Sequence, residues 1–325
     1  MVYFVRHALP GELVEITDVE YQKSFAFAEV AHVVEPHPGR IEPRCPVAVP
    51  KGCGGCALQH ATDELQLALK SDIVKETFRR FAKYDREILV QRVEPRWHWR
   101  TRMQYHVDDE GRVGMRQWRG HDVIPLPPAG CAIAAPSAQP EAQPQGPRSV
   151  SAVGRQWQIP QGGFWQVHPQ APEILTSAVM DMLAPQTGEI AWDLYCGVGL
   201  FAGPLSDAGC DVYGTDGNKL AITSARRNVP SGHFEAGRID LVAGRWPDPD
   251  VVVCDPPRSG LDRSIVKLLC ARKPRAIAYV SCHPASLAGK VGRFEEAGYE
   301  LVEVLAYDLF PQTPHVECVA HLRLR

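Results

Sequence analysis

The sequence predicts an α/β protein in which a mostly parallel sheet with helices on both faces follows a β-rich amino-terminal region and a central α+β region. Three observations predict this arrangement. Apolar and polar residues alternate before residue 44, a stretch rich in Pro, Ala and Gln runs from Pro125 to Arg148, and strand and helix patterns alternate after residue 150. We therefore expect regions at 1–44, 45–148 and 149–325.

Length and composition agree with more than one domain. A chain of 325 residues with 45% hydrophobic residues is long for a single domain and can build a full core. It has no apolar run of about 18 residues and no leader-like start, so we expect a soluble, cytoplasmic protein without a membrane span. We also expect a monomer. The net charge of −3 gives no global argument for a polyanion partner, so any nucleic-acid site must be a local patch.

Short strands are expected in the first region. Alternation in Leu13–Ile16 and in Phe25–Val30, with Pro and Gly between and after them, predicts a few antiparallel strands, and Val2–Val5 is also strand-like. The alternative is an ordinary surface hairpin with no special role.

A helix and a hairpin are expected in the central region. Apolar spacing predicts a helix from Thr62, its amino-terminal cap, to about Tyr84. Strand-like segments at 101–107 and 112–118 flank Asp108–Gly111, a hairpin signal. The stretch from Pro125 to Arg148 is expected to be a flexible linker at the main domain boundary.

The last region alternates strands and helices, which is typical of a parallel sheet. Strands are expected at 190–194, 211–214, 251–254, 276–280 and 319–324, and helices at 199–208, 218–228, 261–271 and 285–297. Ligands of such sheets bind beyond the carboxyl ends of the strands, so motifs at those ends are the functional candidates.

The first of these strands runs into a turn with two glycines. Residues 193–199 read Asp-Leu-Tyr-Cys-Gly-Val-Gly, and such a turn lets a ligand approach the backbone and the free N–H groups of the next helix. Asp216, about 20 residues on, ends the second strand, where an acidic side chain can accept a ribose hydroxyl. Alone, the pattern fits NAD or S-adenosylmethionine about equally. The missing third glycine favours the methyl donor, and an ordinary tight turn is the structural alternative.

Two further strands end in reactive side chains. Cys254-Asp255-Pro256-Pro257-Arg258 follows one, and its prolines fix a rigid rim that aims the carboxylate into the crevice. Val280-Ser281-Cys282-His283-Pro284 ends the other, and a cysteine held there is a candidate nucleophile. A buried structural thiol is the alternative, which the polar neighbours of Cys282 make less favourable.

A polar segment, 308–317, leads into the last strand. His315 and Glu317 alternate along it, so both side chains could enter one pocket, with a solvated strand edge as the alternative.

Ten cysteines are many for a cytosolic chain, where stable disulfides are rare. Cys210, Cys254, Cys270 and Cys318 lie in apolar surroundings and are expected to be core residues. Four others lie in the amino-terminal half: Cys45, Cys53, Cys56 and Cys131. They could bind zinc or an iron–sulfur cluster, and their spacing does not distinguish between the two. Free buried thiols are the structural alternative.

Together these motifs resemble the RNA uracil-C5 methyltransferase family over nearly the whole chain. Phe164-Trp165-Gln166-Val167 resembles the F-x-Q element of the family, and 193–199 its donor loop. Residues 255–258 are similar to its D-P-P-R element, 281–284 to its S-C-x-P nucleophile element, and 310–317 to its F-P-x-T-x-H-V-E base element. Five motifs in family order make the resemblance specific.

The resemblance implies a Rossmann-like class I methyltransferase domain that moves a methyl group from S-adenosylmethionine to C5 of a uridine in RNA. Uracil C5 is a poor nucleophile, so a thiolate must first add to C6, and a carboxylate must later remove the C5 proton. By resemblance Cys282 is that nucleophile and Glu317 that base. The donor or the target base is then bound by Gln166, Tyr195, Gly197, Gly199, Asp216 and Asp255. The uridine must be single-stranded or flipped out of its helix.

Resemblance also chooses a cofactor for the four amino-terminal cysteines. Many members carry a [4Fe–4S] cluster on a C-x5–6-C-G-x-C array with a distant fourth cysteine, and Gly54 fits this pattern, although the gap between Cys45 and Cys53 is longer. Residues 1–44 resemble part of a TRAM domain, a small β-barrel that binds RNA in some relatives. Relatives with a cluster often act on 23S rRNA and some on tRNA, so rRNA is slightly favoured.

A basic and aromatic patch in the central region is a second candidate for RNA contact. Arginines that could contact phosphates are interleaved there with aromatic rings that could stack on bases. For any single residue, a place in an ordinary solvated hairpin with a few core aromatics explains the sequence equally well. The patch consists of Arg92, Arg96, Arg100, Arg102, Arg112, Arg116, Arg119, Trp97, Trp99, Tyr105 and Trp118.

Two competing functions fit the sequence less well. An amino-group methyltransferase normally follows D-P-P with an aromatic residue and needs no cysteine, so Arg258 and Cys282 argue against it. A cluster-bearing RNA-binding protein without catalysis would show a degenerate donor loop or nucleophile, and neither is degenerate here.

Overall fold

A computed structural model of the chain describes residues 1–142 and 146–325. Its contacts divide the chain into two compact units. The first contains Met1–Lys70, Glu94–Gln143 and Phe310–Pro314, and the second contains Ser71–Val93, Pro144–Leu309 and His315–Arg325.

A three-stranded sheet begins the first unit. Its strands are β1 (Val2–Arg6), β2 (Leu13–Tyr21) and β3 (Phe25–Glu35), in the order β1-β3-β2. β2 pairs with β3 antiparallel, as expected, whereas β1 pairs with β3 parallel. The parallel pair arises because β1 and β3 are not joined by a tight turn, and β2 lies between them in the chain.

The remainder of the first unit is built around a helix start and a small sheet. Helix α1 (Asp63–Ala82) begins after Thr62, whose Oγ1 accepts a hydrogen bond from the backbone N–H of Leu65, as a cap should. A strand pair follows later in the chain at β5 (His106–Val107) and β6 (Val113–Arg116), with β7 (Val123–Pro125) added beside β6. The hairpin is confirmed, but its first strand is shorter than the expected 101–107.

The expected flexible linker is largely packed structure. Ala134 and Ala138 have no exposed surface and form a core cluster with Met103 and Ala135. A stretch rich in alanine and proline has the composition of a linker, but its small side chains can pack closely against a neighbouring core. Residues 143–145 of that expected linker lie outside the described residues.

The second unit contains an eight-stranded sheet in the order β12-β11-β10-β13-β14-β16-β15-β4. Its strands, in chain order, are β4 (Val90–Gln91), β10 (Ile190–Leu194), β11 (Asp211–Asp216), β12 (His233–Ala236), β13 (Val251–Cys254), β14 (Ala276–Ser281), β15 (Tyr299–Tyr307) and β16 (Glu317–Leu324). A separate hairpin joins β8 (Arg148–Ala152) to β9 (Arg155–Ile159). The pairs from β12 to β14 are parallel, while β16 is antiparallel to both β14 and β15.

Helices connect the parallel strands, as the alternation predicted. After α1 they are α2 (Ala171–Leu183), α3 (Ala202–Asp207), α4 (Lys219–Asn228), α5 (Ile239–Ala243), α6 (Arg263–Arg272) and α7 (Pro284–Glu296). The central strands β13 and β14 are buried at every residue, as expected for strands covered on both faces.

Strand order fixes where a ligand can bind. β10 lies between β11 and β13, so the chain leaves β10 in one direction along the sheet and later returns on its other side. This is a topological switch point, where the loops after neighbouring strands separate and leave a crevice. The loops after β10 and β13 lie at this point, and the loop after β14 is next to them.

Candidate active site

The turn after β10 has the backbone that its glycines predicted. Tyr195, Gly197 and Gly199 all have positive φ, at 63°, 54° and 95°. The left-handed region is costly for residues other than glycine, so Tyr195 is held in a strained conformation by the turn. The backbone N–H of Gly197 donates to Asp216 Oδ2 at 3.1 Å, which links the turn to the end of β11. Asp216 and this turn thus form one continuous rim.

Asp193 is a buried carboxyl that the sequence did not single out. It has no exposed surface, and its Oδ2 accepts a hydrogen bond of 2.9 Å from the backbone N–H of Ala202, at the start of α3. Its Oδ1 is buried with no hydrogen-bond partner among the described residues. Burial, together with the nearby Asp255 and Asp216, raises the pKa of Asp193 to about 8.

The antiparallel pairing of β14 with β16 brings the cysteine and the glutamate together. Ser281 lies opposite Cys318, and the next residue on each side is Cys282, just beyond β14, and Glu317, the first residue of β16. The two side chains are close enough for Glu317 to raise the pKa of the Cys282 thiol. Two residues 35 positions apart in the chain therefore meet at the end of the sheet.

Asp255 and Gln166 belong to the same site. Gln166 Nε2 donates to Asp255 Oδ2 at 3.3 Å, and only 8% of Gln166 is exposed. Asp255 follows β13 directly, and its backbone N–H bonds to the carbonyl of Leu194 at 3.3 Å. The loops after β10 and β13 therefore lie side by side, as expected of the motifs at these positions.

Three ionisable groups of this site share one electrostatic environment. Burial, and then Asp255, raises the pKa of Glu317 well above its ordinary value, and Glu317 Oε1 has no hydrogen-bond partner among the described residues. Burial also raises the pKa of Asp255, while the hydrogen bond from Gln166 lowers it. Burial and Glu317 raise the pKa of the Cys282 thiol. Low solvation thus favours the neutral forms of all three groups, and nearby negative charge adds to this effect for Glu317 and Cys282.

Arg258 opposes this trend, and sequence reasoning gave it no role in the site. Its charge and a hydrogen bond to Cys282 lower the pKa of that thiol. Arg258 Nη2 also forms a hydrogen bond with the ring of His315, with 2.7 Å between Nη2 and Nδ1. The D-P-P-R element could have indicated that Arg258 belongs to the site, because Arg258 stands three residues after Asp255, at the same strand end.

His283 has a structural contact. It is the amino-terminal cap of α7, where its Nδ1 accepts from the backbone N–H of Ser286 at 3.1 Å. A side-chain acceptor at this position satisfies an otherwise free helix donor.

Of the cysteines expected in the core, Cys210, Cys254 and Cys318 are buried, whereas Cys270 is partly exposed.

The four amino-terminal cysteines line one cavity in the first unit. Cys45, Cys53, Cys56 and Cys131 all face it, beside a mainly apolar wall that includes Met103 and Ile133. Burial raises the pKa of Cys56 to about 12, and the nearby sulfurs of the other three cysteines add to this effect. No group of three or more His, Cys, Asp or Glu side chains within residues 1–142 and 146–325 has ready-made metal-binding geometry.

The basic and aromatic patch is partly core. Trp99 has no exposed surface, and Arg96, 2% exposed, forms an ion pair of 2.8 Å with Asp63. The prediction that these two residues contact RNA is therefore wrong, because burial excludes them from a surface. Trp118 is exposed and stacks under Arg119, whose guanidinium also lies 3.9 Å from the ring centre of Phe27.

The sequence predicts no membrane-spanning helix. Among the described residues, no helix is long and apolar enough to cross a membrane.

Comparison with known proteins identifies relatives along the whole chain. A family model described as tRNA (Uracil-5-)-methyltransferase matches residues 237–325. An uncharacterized RNA methyltransferase of Streptomyces avermitilis is 35% identical over 99% of this chain and 92% of its own length. A second, from Streptomyces coelicolor, is 35% identical over 99% of this chain and 87% of its own length.

A solved structure shares the fold of nearly the whole chain. It is the Pyrococcus abyssi tRNA (uracil-54, C5)-methyltransferase in complex with S-adenosyl-L-homocysteine, with a TM-score of 0.77 and 22% identity over 98% of this chain and 95% of that one. The expected class I methyltransferase fold is thereby confirmed. From the relatives and the family model together, the chain is an RNA methyltransferase that belongs to the RNA uracil-C5 methyltransferase family.

Proposed function

We propose that this enzyme methylates C5 of a uridine in RNA through a covalent bond between Cys282 and C6 of the uracil, which Glu317 resolves. The observation that carries the proposal is the pairing of β14 with β16: it ends at Ser281 and Cys318, next to Cys282 and Glu317, and Glu317 is close enough to raise the pKa of the Cys282 thiol. A nucleophile and a base on one face can act on adjacent atoms of a single ring. The bond between Gln166 and Asp255 adds polar groups next to them that can recognise the base edge.

The reaction balances with these residues. The Cys282 thiolate forms a bond to C6, and the electron pair of the C5=C6 bond moves to C5 and the adjoining carbonyl, as an enolate. The C5 carbon of the enolate then bonds to the methyl group of S-adenosylmethionine, the second substrate, while the bond from the sulfonium sulfur to that methyl group breaks and S-adenosylhomocysteine leaves with the electron pair. The Glu317 carboxylate then takes the C5 proton. The C5–H electron pair re-forms the double bond while the bond from Sγ to C6 breaks and returns the thiolate.

Arg258 supports the first step. A thiol with a raised pKa is a poor source of thiolate, so the cation beside Cys282 matters most before the attack. When the thiolate leaves at the end, the same cation stabilises the leaving group.

The methyl donor is assigned to the rim formed by the turn after β10 and by Asp216. Gly197 and Gly199 have positive φ, which glycine adopts readily, and as glycines they carry no side chain at the points where a ligand would approach the backbone. One carboxylate oxygen of Asp216 is occupied by Gly197 N–H, and the other accepts from Asn218 N–H, so its orientation is fixed toward the rim. Tyr195 and Asp255 are at the neighbouring strand ends and complete the assigned set.

The cavity lined by four cysteines is proposed to hold a [4Fe–4S] cluster. Four sulfur donors around one apolar cavity are the ligand set that such a cluster needs. Cys45, Cys53, Cys56 and Cys131 would each bind one iron. A cluster supplies rigid cross-links between chain segments and, in principle, an electron, and the methyl transfer above consumes no electron. Its assigned role here is structural.

The RNA substrate is proposed to be ribosomal or transfer RNA. The solved neighbour and the family model are named for tRNA, while the cysteine array resembles relatives that act on 23S rRNA, which keeps rRNA slightly favoured. The target uridine must be accessible on its C6 face, which a base-paired helix hides.

Mass-spectrometric mapping of 5-methyluridine in total RNA, with and without the gene, tests the function and names the RNA. We expect one or a few positions to lose the mark in the deletion strain and to regain it with the wild-type gene but not with Cys282→Ala. Unchanged 5-methyluridine at every position of rRNA and tRNA would refute the proposal.

A further inference from the structure

The residues after β13 form a tight turn that carries Arg258. The backbone N–H of Gly260 donates to the carbonyl of Pro257 at 2.8 Å and closes a turn over residues 257–260, which we call the arginine turn. Arg258 is its second residue and is exposed. A long, exposed arginine side chain has many conformations, so its guanidinium stays beside one partner only if the backbone and the far end are both held.

A side chain of α7 holds the arginine turn from one side. Ser286 Oγ donates to the carbonyl of Ser259 at 3.0 Å. Gly260 approaches the same hydroxyl so closely that an added Cβ would lie 2.1 Å from Ser286 Oγ, and the φ of Gly260 is +74°. The close approach and the left-handed backbone both favour glycine at this position. The arginine turn therefore packs directly against the first turn of α7.

A buried tyrosine of β14 holds the chain where it leaves the arginine turn. Tyr279 is 1% exposed, and its hydroxyl oxygen accepts a hydrogen bond of 3.0 Å from the backbone N–H of Leu261. Leu261 is also 1% exposed, so loss of the hydroxyl would leave a buried donor unpaired, which is costly. This hydrogen bond thus fixes the second end of the turn.

The segment around Cys282 fixes Ser286 in its place. Ser281 Oγ accepts from the backbone N–H of His283 at 3.2 Å, and His283 Nδ1 accepts from the backbone N–H of Ser286 at 3.1 Å. Cys282 lies between Ser281 and His283. The same short segment therefore carries the thiol and orients the serine that holds the arginine turn.

The far end of Arg258 is held beside the thiol. Its guanidinium donates to the ring of His315, with 2.7 Å between Nη2 and Nδ1, and forms a hydrogen bond with Cys282. Burial, and then Glu317 of β16 and Asp255 of the loop after β13, raise the pKa of this thiol, whereas Arg258 lowers it. The position of this cation therefore affects how readily the thiolate forms.

We propose that Ser286 and Tyr279 are positioning residues, which hold the arginine turn so that the guanidinium of Arg258 stays beside Cys282 and stabilises its thiolate. The inference rests on the proposed function, because it needs Cys282 as the nucleophile. Each of the two hydroxyls bonds to a backbone atom next to the turn, so each acts through the loop that carries Arg258.

The proposal predicts a defect in the first chemical step that depends on pH. When the arginine turn is loose, the guanidinium spends part of its time in solvent, the thiolate loses its nearby cation and attack on C6 slows at neutral pH. As the pH approaches the pKa of the thiol, the thiolate forms without this help and the defect shrinks. A merely structural contact would instead reduce folded protein or lower the rate equally at every pH.

The test measures covalent trapping by the full-length enzyme between pH 6 and pH 10. The probe is total RNA from the deletion strain grown with 5-fluorouracil, because fluorine at C5 stops the reaction at the adduct. We expect Ser286→Ala to slow the appearance of a denaturation-resistant protein–RNA band by about tenfold near pH 7 and to recover as the pH rises. Tyr279→Phe should behave in the same way, and if one variant does not fold, the other decides.

Two hydroxyls of the same compact unit provide matched controls. Ser177 is an exposed serine of α2 whose Oγ lies 3.5 Å from Asp181 Oδ2 of the same helix. Tyr299 has no exposed surface, and its hydroxyl donates to the carbonyl of Pro274 at 2.8 Å. Ser177→Ala and Tyr299→Phe should trap RNA at the wild-type rate at every pH.

A double-mutant cycle tests whether Ser286 acts through Arg258. Arg258→Met removes the cation, so adding Ser286→Ala to it should slow trapping no further near pH 7. If the two reductions in rate multiplied instead, Ser286 would act by another route and the inference would be overturned.

The remaining outcomes separate this inference from the proposed function. Wild-type trapping by both Ser286→Ala and Tyr279→Phe, or an equal loss at every pH, would overturn the positioning role. The proposed function would still stand if the wild type traps RNA and Cys282→Ala does not. Absence of trapping by the wild type would overturn both.

Discussion

The thiol of Cys282 lies under opposing influences, since burial and Glu317 raise its pKa while Arg258 lowers it. The balance sets the fraction of thiolate at a given pH, and the thiolate is the nucleophile. Arg258 also bonds to His315, which orients the guanidinium toward the end of β14. The structure thus gives a charge-stabilising role to a residue that, in the sequence, only argues against an amino-group methyltransferase.

Arg258→Met should slow adduct formation and move its pH dependence upward. Without the cation the pKa of Cys282 rises further, and the amount of thiolate at neutral pH falls by about tenfold for every unit by which that pKa rises. The rate should fall by about tenfold or more near pH 7 and recover as the pH is raised. We would measure trapping of RNA that carries 5-fluorouridine across pH 6 to 10, since fluorine at C5 cannot leave as a proton.

Arg263→Met, at an exposed position of α6, is the control for general loss of positive charge. An equal loss of rate at every pH in Arg258→Met would mean that Arg258 binds RNA and does not stabilise the thiolate.

At this scale the sequence predicted four residues that the structure brings close together, and their roles are proposals. Cys282, Glu317, Asp255 and Gln166 could be named because each stands in a short motif whose residue types the chemistry requires. Asp193 was missed as an individual residue, because a carboxyl at the end of an apolar strand gives no sign in the sequence that it is buried and caps the next helix.

At the scale of elements, Asp193 connects β10 to α3. Its Oδ2 accepts a hydrogen bond from the backbone N–H of Ala202 at the start of α3. Burial raises the pKa of Asp193 to about 8, so the free-energy cost of burying its charge appears as the pH rises. A group with a raised folded-state pKa contributes stability below its unfolded value and loses that contribution as the pH passes through its folded value.

Asp193→Asn should therefore gain stability relative to the wild type between about pH 4 and pH 8. The amide keeps an acceptor for the N–H of Ala202 and carries no charge, so the difference in unfolding free energy should reach the order of a few kcal/mol above pH 8. Urea unfolding at a series of pH values measures it. A difference that stays constant from pH 4 to pH 9 would show that Asp193 does not change its ionisation on folding.

Elements were predicted best where the pattern is local. The strands at 190–194 and 251–254 have the predicted bounds, because buried parallel strands are continuous apolar runs. β15 and the hairpin of β8 and β9 were not predicted, since β15 mixes charged and apolar residues with a register irregularity between Leu301 and Glu303. The packed segment around Ala134 has the composition of a linker, and its burial depends on distant residues.

At the scale of the whole molecule, the compact units are discontinuous in the chain. The first unit uses three separate stretches, and the last of them is the five residues 310–314. A scan of composition cuts a chain into consecutive blocks, so it cannot find a unit completed by a short segment from near the carboxyl terminus. The family resemblance reached the correct fold because it compares the chain with whole proteins.

The four-cysteine cavity predicts a metal content for the whole protein. Anaerobically purified enzyme should be brown and contain about four irons per chain, and Cys131→Ser should lose them. Cys270→Ser is the control, because Cys270 is partly exposed and lies outside the cavity. Stoichiometric zinc without iron would contradict the cluster assignment and leave the methyl transfer chemistry unchanged.

The central claim is that Cys282 and Glu317, brought close together where the pairing of β14 with β16 ends, act in succession on one uracil. Glu317→Gln keeps the shape of the side chain and removes the base, so the covalent bond and the methyl group should both form while the C5 proton stays. The direct measurement is mass spectrometry of the nucleotide bound to Cys282 after Glu317→Gln is incubated with donor and unmodified RNA. We expect a methylated uridine attached to this cysteine, absent in Cys282→Ala; free 5-methyluridine formed at the wild-type rate would contradict the claim.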